Sequence, residues 1–263
     1  MNDRYSNFRS CGIIPLPAFR DNYLWLLRRG NAATVVDPGD AAVVEDYLAR
    51  HELDLCAILL THHHADHVGG VAELVASRDI PVFGPAAAKI PGTNRPVAEG
   101  DEAVLDRLGV RFRVLEVPGH TATHVAYVAP GILFPGDTLF SAGCGRLLGG
   151  TAAQLHASLG RLAALPGDTA VYCTHEYTLA NLAFAHAAEP ENPDRDAWEA
   201  ECRALRAAGR PTLPSTIERE RRINPFLRTS EPGVVAAVSK HSGARPTNAQ
   251  ECFAALRAWK DEF

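Results

Sequence analysis

The chain lacks most of the features that settle a protein's class at first sight. No apolar run approaches the roughly 18–20 residues that cross a bilayer. The opening stretch MNDRYSNFRSC has no apolar core of the kind that a secretory signal carries. Neither a membrane role nor export is expected, and a cytoplasmic location is. The six cysteines, Cys11, Cys56, Cys144, Cys173, Cys202 and Cys252, lie far apart and form no C-x-x-C pair. That spacing favours reduced, mostly buried thiols over a disulfide framework. There is no G-x-S-x-G elbow, no H-E-x-x-H, no P-loop and no G-x-G-x-x-G following a strand. A large excess of one charge is missing too. With 26 basic and 31 acidic residues the net charge is −5, which gives no long-range attraction to nucleic acid.

What remains is an ordinary globular composition, 46% hydrophobic and 22% charged over 263 residues. One large domain, or a domain with an appendage, is the expectation. Short apolar runs at 12–17, 22–27, 33–36, 56–60, 81–83, 111–117, 124–128, 132–134 and 170–173 read as strands. Helical spacing at 40–50 and 68–77, and the capping box Thr151-x-x-Gln154 ahead of 152–164, add helices between them. A layered α/β or α+β architecture follows. After about residue 178 the character changes. From residue 180 there are 12 basic and 12 acidic residues, prolines punctuate the segment, and Ser215-x-x-Glu218 and Thr247-x-x-Gln250 read as further capping boxes. We therefore place a main domain at 1–178 and a smaller, mainly helical one at 179–263. The alternating charges of Glu218–Arg222 read as a solvated helix face.

Histidine is the unusual count, 11 in all, with His62, His63, His64 and His67 inside six residues. They directly follow the apolar run 56–60, so a loop at a sheet edge presents three imidazoles and Asp66 together. Such donors suit zinc, iron or manganese, and no thiolate asks for a softer metal. His120, Asp137 and His175 recur in the same setting, each two to four residues past an apolar run. Seven donors exceed the needs of one tetrahedral ion, whereas two ions sharing a carboxylate would use them all. His63 lies between ligand positions and is assigned a structural or supporting role. His124 is expected to begin a strand. Asp37 ends a strand beside the cluster and admits two readings, orienting a ligand histidine or stabilising its Pro-Gly turn.

The strings THHHADH, PGHTATH, FPGDTLF and CTHEYT, in that order, resemble the metallo-β-lactamase superfamily. With FSAGCGR, INPFLR and the terminal ALRAWKDEF, the chain is similar from end to end to the hydroxyacylglutathione hydrolase (glyoxalase II) family. The resemblance implies an αββα sandwich of two mixed β-sheets flanked by helices, with a helical C-terminal domain. It implies that His62, His64 and His120 hold one divalent ion and that Asp66, His67 and His175 hold another. Asp137 would bridge the two, so Asp66 and Asp137 serve catalysis through the metals. Zinc is the expected metal, with iron or manganese as alternatives.

The resemblance also places glutathione contacts on Arg146, Tyr177, Arg257 and Lys260. Leu148 stands where the family often has an aromatic residue, which removes a possible hydroxyl donor. Independently, Arg257 and Lys260 are three apart and so adjacent on one helix surface, either a carboxylate seat or a solvated basic face. The expected reaction is hydrolysis of S-lactoylglutathione to lactate and glutathione, the second step of methylglyoxal detoxification, with water activated at the two ions. The thiol of the leaving group, with a pKa of about 8.5, departs without a strong general acid. The rival reading is a mononuclear-iron persulfide dioxygenase using His62, His120 and Asp137. The partner is a small glutathione thioester, and the chain is expected to act as a monomer.

Overall fold

The computed structural model describes residues 11–263. Residues 1–10, which make up nearly all of the stretch read for an export signal, lie outside the described residues. Two compact units are present by backbone packing. One comprises the described residues up to Glu116 together with Thr123–Gly136, and the other comprises Val117–Ala122 and Asp137–Phe263. Backbone packing explains why the short loop 117–122 goes with the later residues. A Cβ added at Gly119 would meet Leu155 Cα at 2.5 Å, and one at Gly150 would meet the Gly119 carbonyl oxygen at 2.3 Å.

The first unit begins with β1 (Gly12–Ala18), β2 (Asn22–Arg29), β3 (Ala32–Val36), α1 (Ala41–Arg50) and β4 (Asp54–Leu59). It continues through α2 (Ala65–Val68), α3 (Val71–Val75), β5 (Val82–Pro85) and β6 (Arg95–Val97). Strands β1 to β6 form one sheet in sequence order. The β1–β2 and β2–β3 pairs are antiparallel, and β3–β4, β4–β5 and β5–β6 are parallel. The sheet is therefore mixed. Asp40 caps α1 by accepting from Ala42 N at 2.9 Å. The helix turns Ala41, Val44 and Leu48 into a core that also holds Leu24, Leu26, Val35 and Ile58. Four further strands, β7 (Glu102–Leu105), β8 (Val110–Glu116), β9 (Val125–Ala129) and β10 (Ile132–Phe134), make an antiparallel meander.

The helix expected over 68–77 is instead two short helices broken at Gly69-Gly70. The break has a steric cause. A Cβ at Gly70 would lie 2.5 Å from Ala41 N, so only glycine lets this turn close on the start of α1.

The second unit contains β11 (Leu139–Phe140), β12 (Gly143–Cys144), α4 (Ala152–Ala163), β13 (Ala170–Val171), α5 (Thr178–Ala188) and α6 (Pro193–Ala207). It ends with β14 (Ser215–Thr216), α7 (Ile217–Ile223), α8 (Pro232–Ser242) and α9 (Ala249–Glu262). β11 and β12 are a short hairpin, and β13 pairs antiparallel with β14. The capping box at Thr151 and Gln154 forms as expected.

The other two caps sit one residue later than the sequence suggests. Thr216 caps α7 by accepting from Arg219 N, and Asn248 caps α9 by accepting from Glu251 N. Ser215 is buried and turned to Glu220, while Thr247 donates its hydroxyl to Glu251. Leu182 and Ala185 of α5, Trp198 and Cys202 of α6 and Ile223 of α7 form a core with Ala142. Burial pushes the Cys202 thiol up to about 12, in keeping with a reduced core cysteine. Among the described residues no helix is long and apolar enough to cross a membrane.

Gly39 is the tightest contact next to the histidine loop, because a Cβ there would sit 1.9 Å from the Asp66 carbonyl oxygen. Gly39→Ala should cost about 1–3 kcal/mol by overpacking. Calorimetry on the variant should show a Tm several degrees below wild type, whereas Gly160→Ala, in open space within the helix Ala152–Ala163, should not lower it.

Candidate metal centre

β4 ends at Leu59, and the chain leaves the sheet as a loop carrying Thr61, His62, His63 and His64 into α2. Asp37 organises this loop. Its backbone is in the left-handed region at φ 51°, a conformation that Asp tolerates better than most side chains. Thr61 donates to it twice, from N to Oδ1 at 2.8 Å and from Oγ1 to Oδ2 at 2.7 Å. His67 Nδ1 donates to Oδ2 at 3.0 Å.

Two imidazole tautomers follow from these bonds. The Thr61 hydroxyl proton is committed to Asp37, so Thr61 Oγ1 accepts from His62 Nδ1 at 3.1 Å. His62 and His67 thus both carry their proton on Nδ1 and a lone pair on Nε2. Asp37 therefore orients a histidine directly, in addition to ordering its turn. Asn22 donates from Nδ2 to Asp66 Oδ2 at 3.0 Å and fixes the carboxylate, a role that sequence reading missed. Tyr127 was missed as well. It is fully buried, donates to Leu60 O at 2.9 Å, and anchors the strand end just ahead of Thr61. His124 is buried and stacks on His62 with ring centroids 4.6 Å apart, just before β9 begins. His63 is exposed and meets His64 only edge-on, at 5.1 Å.

The second unit holds the other three expected ligands close together. His120 Nε2 lies 3.5 Å and His175 Nε2 lies 3.4 Å from Asp137 Oδ2, and all three residues are buried. His120 Nδ1 donates to the Arg146 carbonyl oxygen at 2.8 Å, which again leaves the lone pair on Nε2. The pattern is that of metal-binding histidines, whose second nitrogen is held by a carbonyl or carboxylate.

Donor spacings test the fit of a metal within each unit. Bonds of about 2.0–2.1 Å in tetrahedral geometry put neighbouring donors about 3.3 Å apart. His62 Nε2 and His64 Nδ1 are 3.0 Å apart, and His67 Nε2 and Asp66 Oδ2 are 3.5 Å apart. With the two distances to Asp137, these spacings and the nitrogen and oxygen donors fit a divalent ion.

The expected glutathione contacts diverge in character. The Arg146 side chain is 72% exposed and reaches Asp261 at 3.8 Å. Tyr177 is exposed on one face and stacks on His175, with centroids 4.6 Å apart and rings 2° from parallel. Lys260 is half-buried over the rings of Phe184 and Phe263, and its pKa is lowered by burial and then by Arg257.

Arg257 is not on a surface at all. At 3% exposed, it donates from Nη1 to Cys144 O at 3.1 Å and from Nη2 to Asp261 at 3.0 Å. Its guanidinium ties α9 to the end of β12, so the pairing with Lys260 as two exposed neighbours does not occur. They are three positions apart along the helix, but one points into the packing.

Comparison with known proteins agrees with this chemistry. Residues 19–175 match the metallo-beta-lactamase superfamily, and residues 176–263 match the hydroxyacylglutathione hydrolase C-terminus. A hydroxyacylglutathione hydrolase of Cupriavidus taiwanensis is 55% identical over 95% of this chain and 98% of its own. One from Chromohalobacter salexigens is 54% identical over 95% and 99%. Among solved structures, ETHE1 from Myxococcus xanthus superimposes with a TM-score of 0.64 at 25% identity, covering 95% of this chain and 97% of its own. TTHA1623, solved in a di-iron-bound form, has a TM-score of 0.57 at 30% identity, covering 81% and 100%. With both halves matched and relatives above half identity along nearly the whole length, the chain belongs to the hydroxyacylglutathione hydrolases, thioester hydrolases of the metallo-β-lactamase superfamily.

Proposed function

We propose that the chain hydrolyses S-2-hydroxyacylglutathione thioesters, S-lactoylglutathione foremost, at a centre of two divalent ions. His62, His64 and His120 would hold one ion, and Asp66, His67 and His175 the other, with Asp137 shared. The observation that carries the reading is the tautomer pattern. His62, His67 and His120 each donate Nδ1–H to a fixed acceptor and keep an Nε2 lone pair for a ligand. When bound, the ions supply the Lewis acidity that activates water and polarises the thioester carbonyl.

The protein's own groups do the rest. Asp37 and the Arg146 carbonyl keep three imidazoles from turning, and Asn22 keeps Asp66 from rotating. Preorganised donors of this kind need no rearrangement as the reaction proceeds. No general acid is required for the leaving thiolate, whose conjugate acid has a pKa of about 8.5. Arg146 and Lys260 supply charge for the peptide carboxylates of the substrate, and Tyr177 offers a hydroxyl at a half-open face. Arg257 supports them from beneath by holding the Cys144 carbonyl. The imidazole and carboxylate donors suit zinc first and iron or manganese as well. A cytoplasmic monomer is the setting we propose.

Elemental analysis of the purified chain should find close to two metal ions per molecule, and thioester cleavage should proceed without oxygen uptake. Oxygen consumption would instead support the dioxygenase. Asp137→Ala should lower kcat by orders of magnitude together with metal content, and a variant of near-normal activity would remove the shared-carboxylate assignment. Arg146→Ala and Lys260→Ala should raise KM and leave kcat close to wild type, because they touch a part of the substrate that does not react. Arg257→Ala should differ from both by also lowering Tm, since it leaves buried carbonyls without their donor.

A further inference from the structure

The charged run 218–222, read from sequence as a solvated face, contains a residue that is not solvated. Glu220 is fully buried. Burial raises its pKa, and the donors around it oppose that shift. Among the described residues its hydrogen-bond partners are neutral donors. Ala142 N donates to Oε2 at 2.8 Å, Asn224 Nδ2 to Oε2 at 3.0 Å, and Ser215 Oγ to Oε1. A buried carboxylate without a counter-ion is expensive, and an apolar side chain would pack there at less cost. Its retention calls for a task that only an acceptor oxygen performs.

That task is visible in the β11–β12 hairpin, two residues per strand and too short to hold its own shape. Its tip places Ala142 at φ 54°, a conformation that strains a residue with a Cβ. Glu220 accepts the backbone N–H of that residue. It also fixes the amide of Asn224, which donates to Gly143 O at 2.9 Å and Phe140 O at 3.2 Å. Asn181 donates to Ser141 O at 3.1 Å, and Trp198 Nε1 donates to Ser141 Oγ at 3.2 Å.

The hairpin is the span between two parts of the metal centre. It begins two residues after Asp137 and ends two residues before Arg146, whose carbonyl holds His120. At Gly145 the contact is immediate. A Cβ there would lie 2.0 Å from Asp137 O and 3.0 Å from His120 Nδ1. Movement of this strand has no slack to absorb it before reaching both ligands.

We infer that Glu220, acting with Asn224 through the β11–β12 hairpin, is a positioning residue for His120 and Asp137. The inference rests on the proposed function only for the identity of those two residues as metal ligands.

The test uses the full chain, with Zn²⁺ alone as probe, in Glu220→Ala, Glu220→Gln, Asn224→Ala and a control, Val238→Ala, in the buried face of α8. The glutamine keeps an oxygen for Ala142 and can donate to Ser215, so it should retain zinc within about twofold of wild type. Glu220→Ala and Asn224→Ala should bind zinc about 10–100-fold more weakly. In the metal-free chain, both should also show faster amide exchange across 139–146. Val238→Ala, at a comparable fall in Tm, should show neither change. Normal zinc affinity and exchange in both Asn224→Ala and a folded Glu220→Ala would overturn the inference. So would an equal zinc loss in Val238→Ala, or no rescue by glutamine. If Glu220→Ala does not fold, Asn224→Ala and Glu220→Gln decide it alone. A wild-type chain that binds zinc but leaves the thioester intact would refute the proposed hydrolysis and leave this outcome readable.

Discussion

The donor cluster of the first unit depends on a single buried carboxylate. Asp37 receives two hydrogen bonds from Thr61 and one from His67, and through the Thr61 hydroxyl it also dictates the protonation of His62. An imidazole that can donate from either nitrogen is an ambiguous ligand, and this arrangement removes the ambiguity at two positions at once. The cost is a non-glycine residue in the left-handed region, of order 1 kcal/mol or more. Strain of that kind persists where surrounding bonds over-determine the geometry, and here three donors do so.

The second unit solves the same problem with backbone. His120 is fixed by a main-chain carbonyl, and the loop that carries this carbonyl is held by side chains far along the sequence, among them Asn224 and Arg257. The helices after residue 178 therefore have a structural role in that loop. They brace the turn whose carbonyl holds His120, and they belong to the same compact unit as that turn.

The candidate ligands were legible in the sequence because they follow apolar strands, and a polar donor just past a buried run has few structural excuses. Asp37 was half legible. Its place at a strand end was apparent, but its three hydrogen bonds come from Thr61 and His67, 24 and 30 residues away. Asn22, Tyr127 and Glu220 were not legible, since nothing local sets them apart. Glu220 lies among Glu218, Arg219, Arg221 and Arg222, and charge alternation describes such a helix correctly on every side except the one that faces inward. The cap positions slipped by one for a related reason. Ser215 and Thr216 are both good caps, and the choice went to Thr216 because Ser215 was needed by Glu220. Arg257 shows the limit of helical spacing, which says which residues are neighbours but not which way the helix is rotated.

Residue 146 carries two duties on separate parts of itself. Its carbonyl steadies an imidazole, while its side chain stands in solvent. Any amino acid that keeps the main-chain path would serve the first duty equally well. If that side chain meets the substrate as proposed, it is free to change without disturbing the carbonyl that holds His120, so affinity and imidazole geometry can diverge at one position.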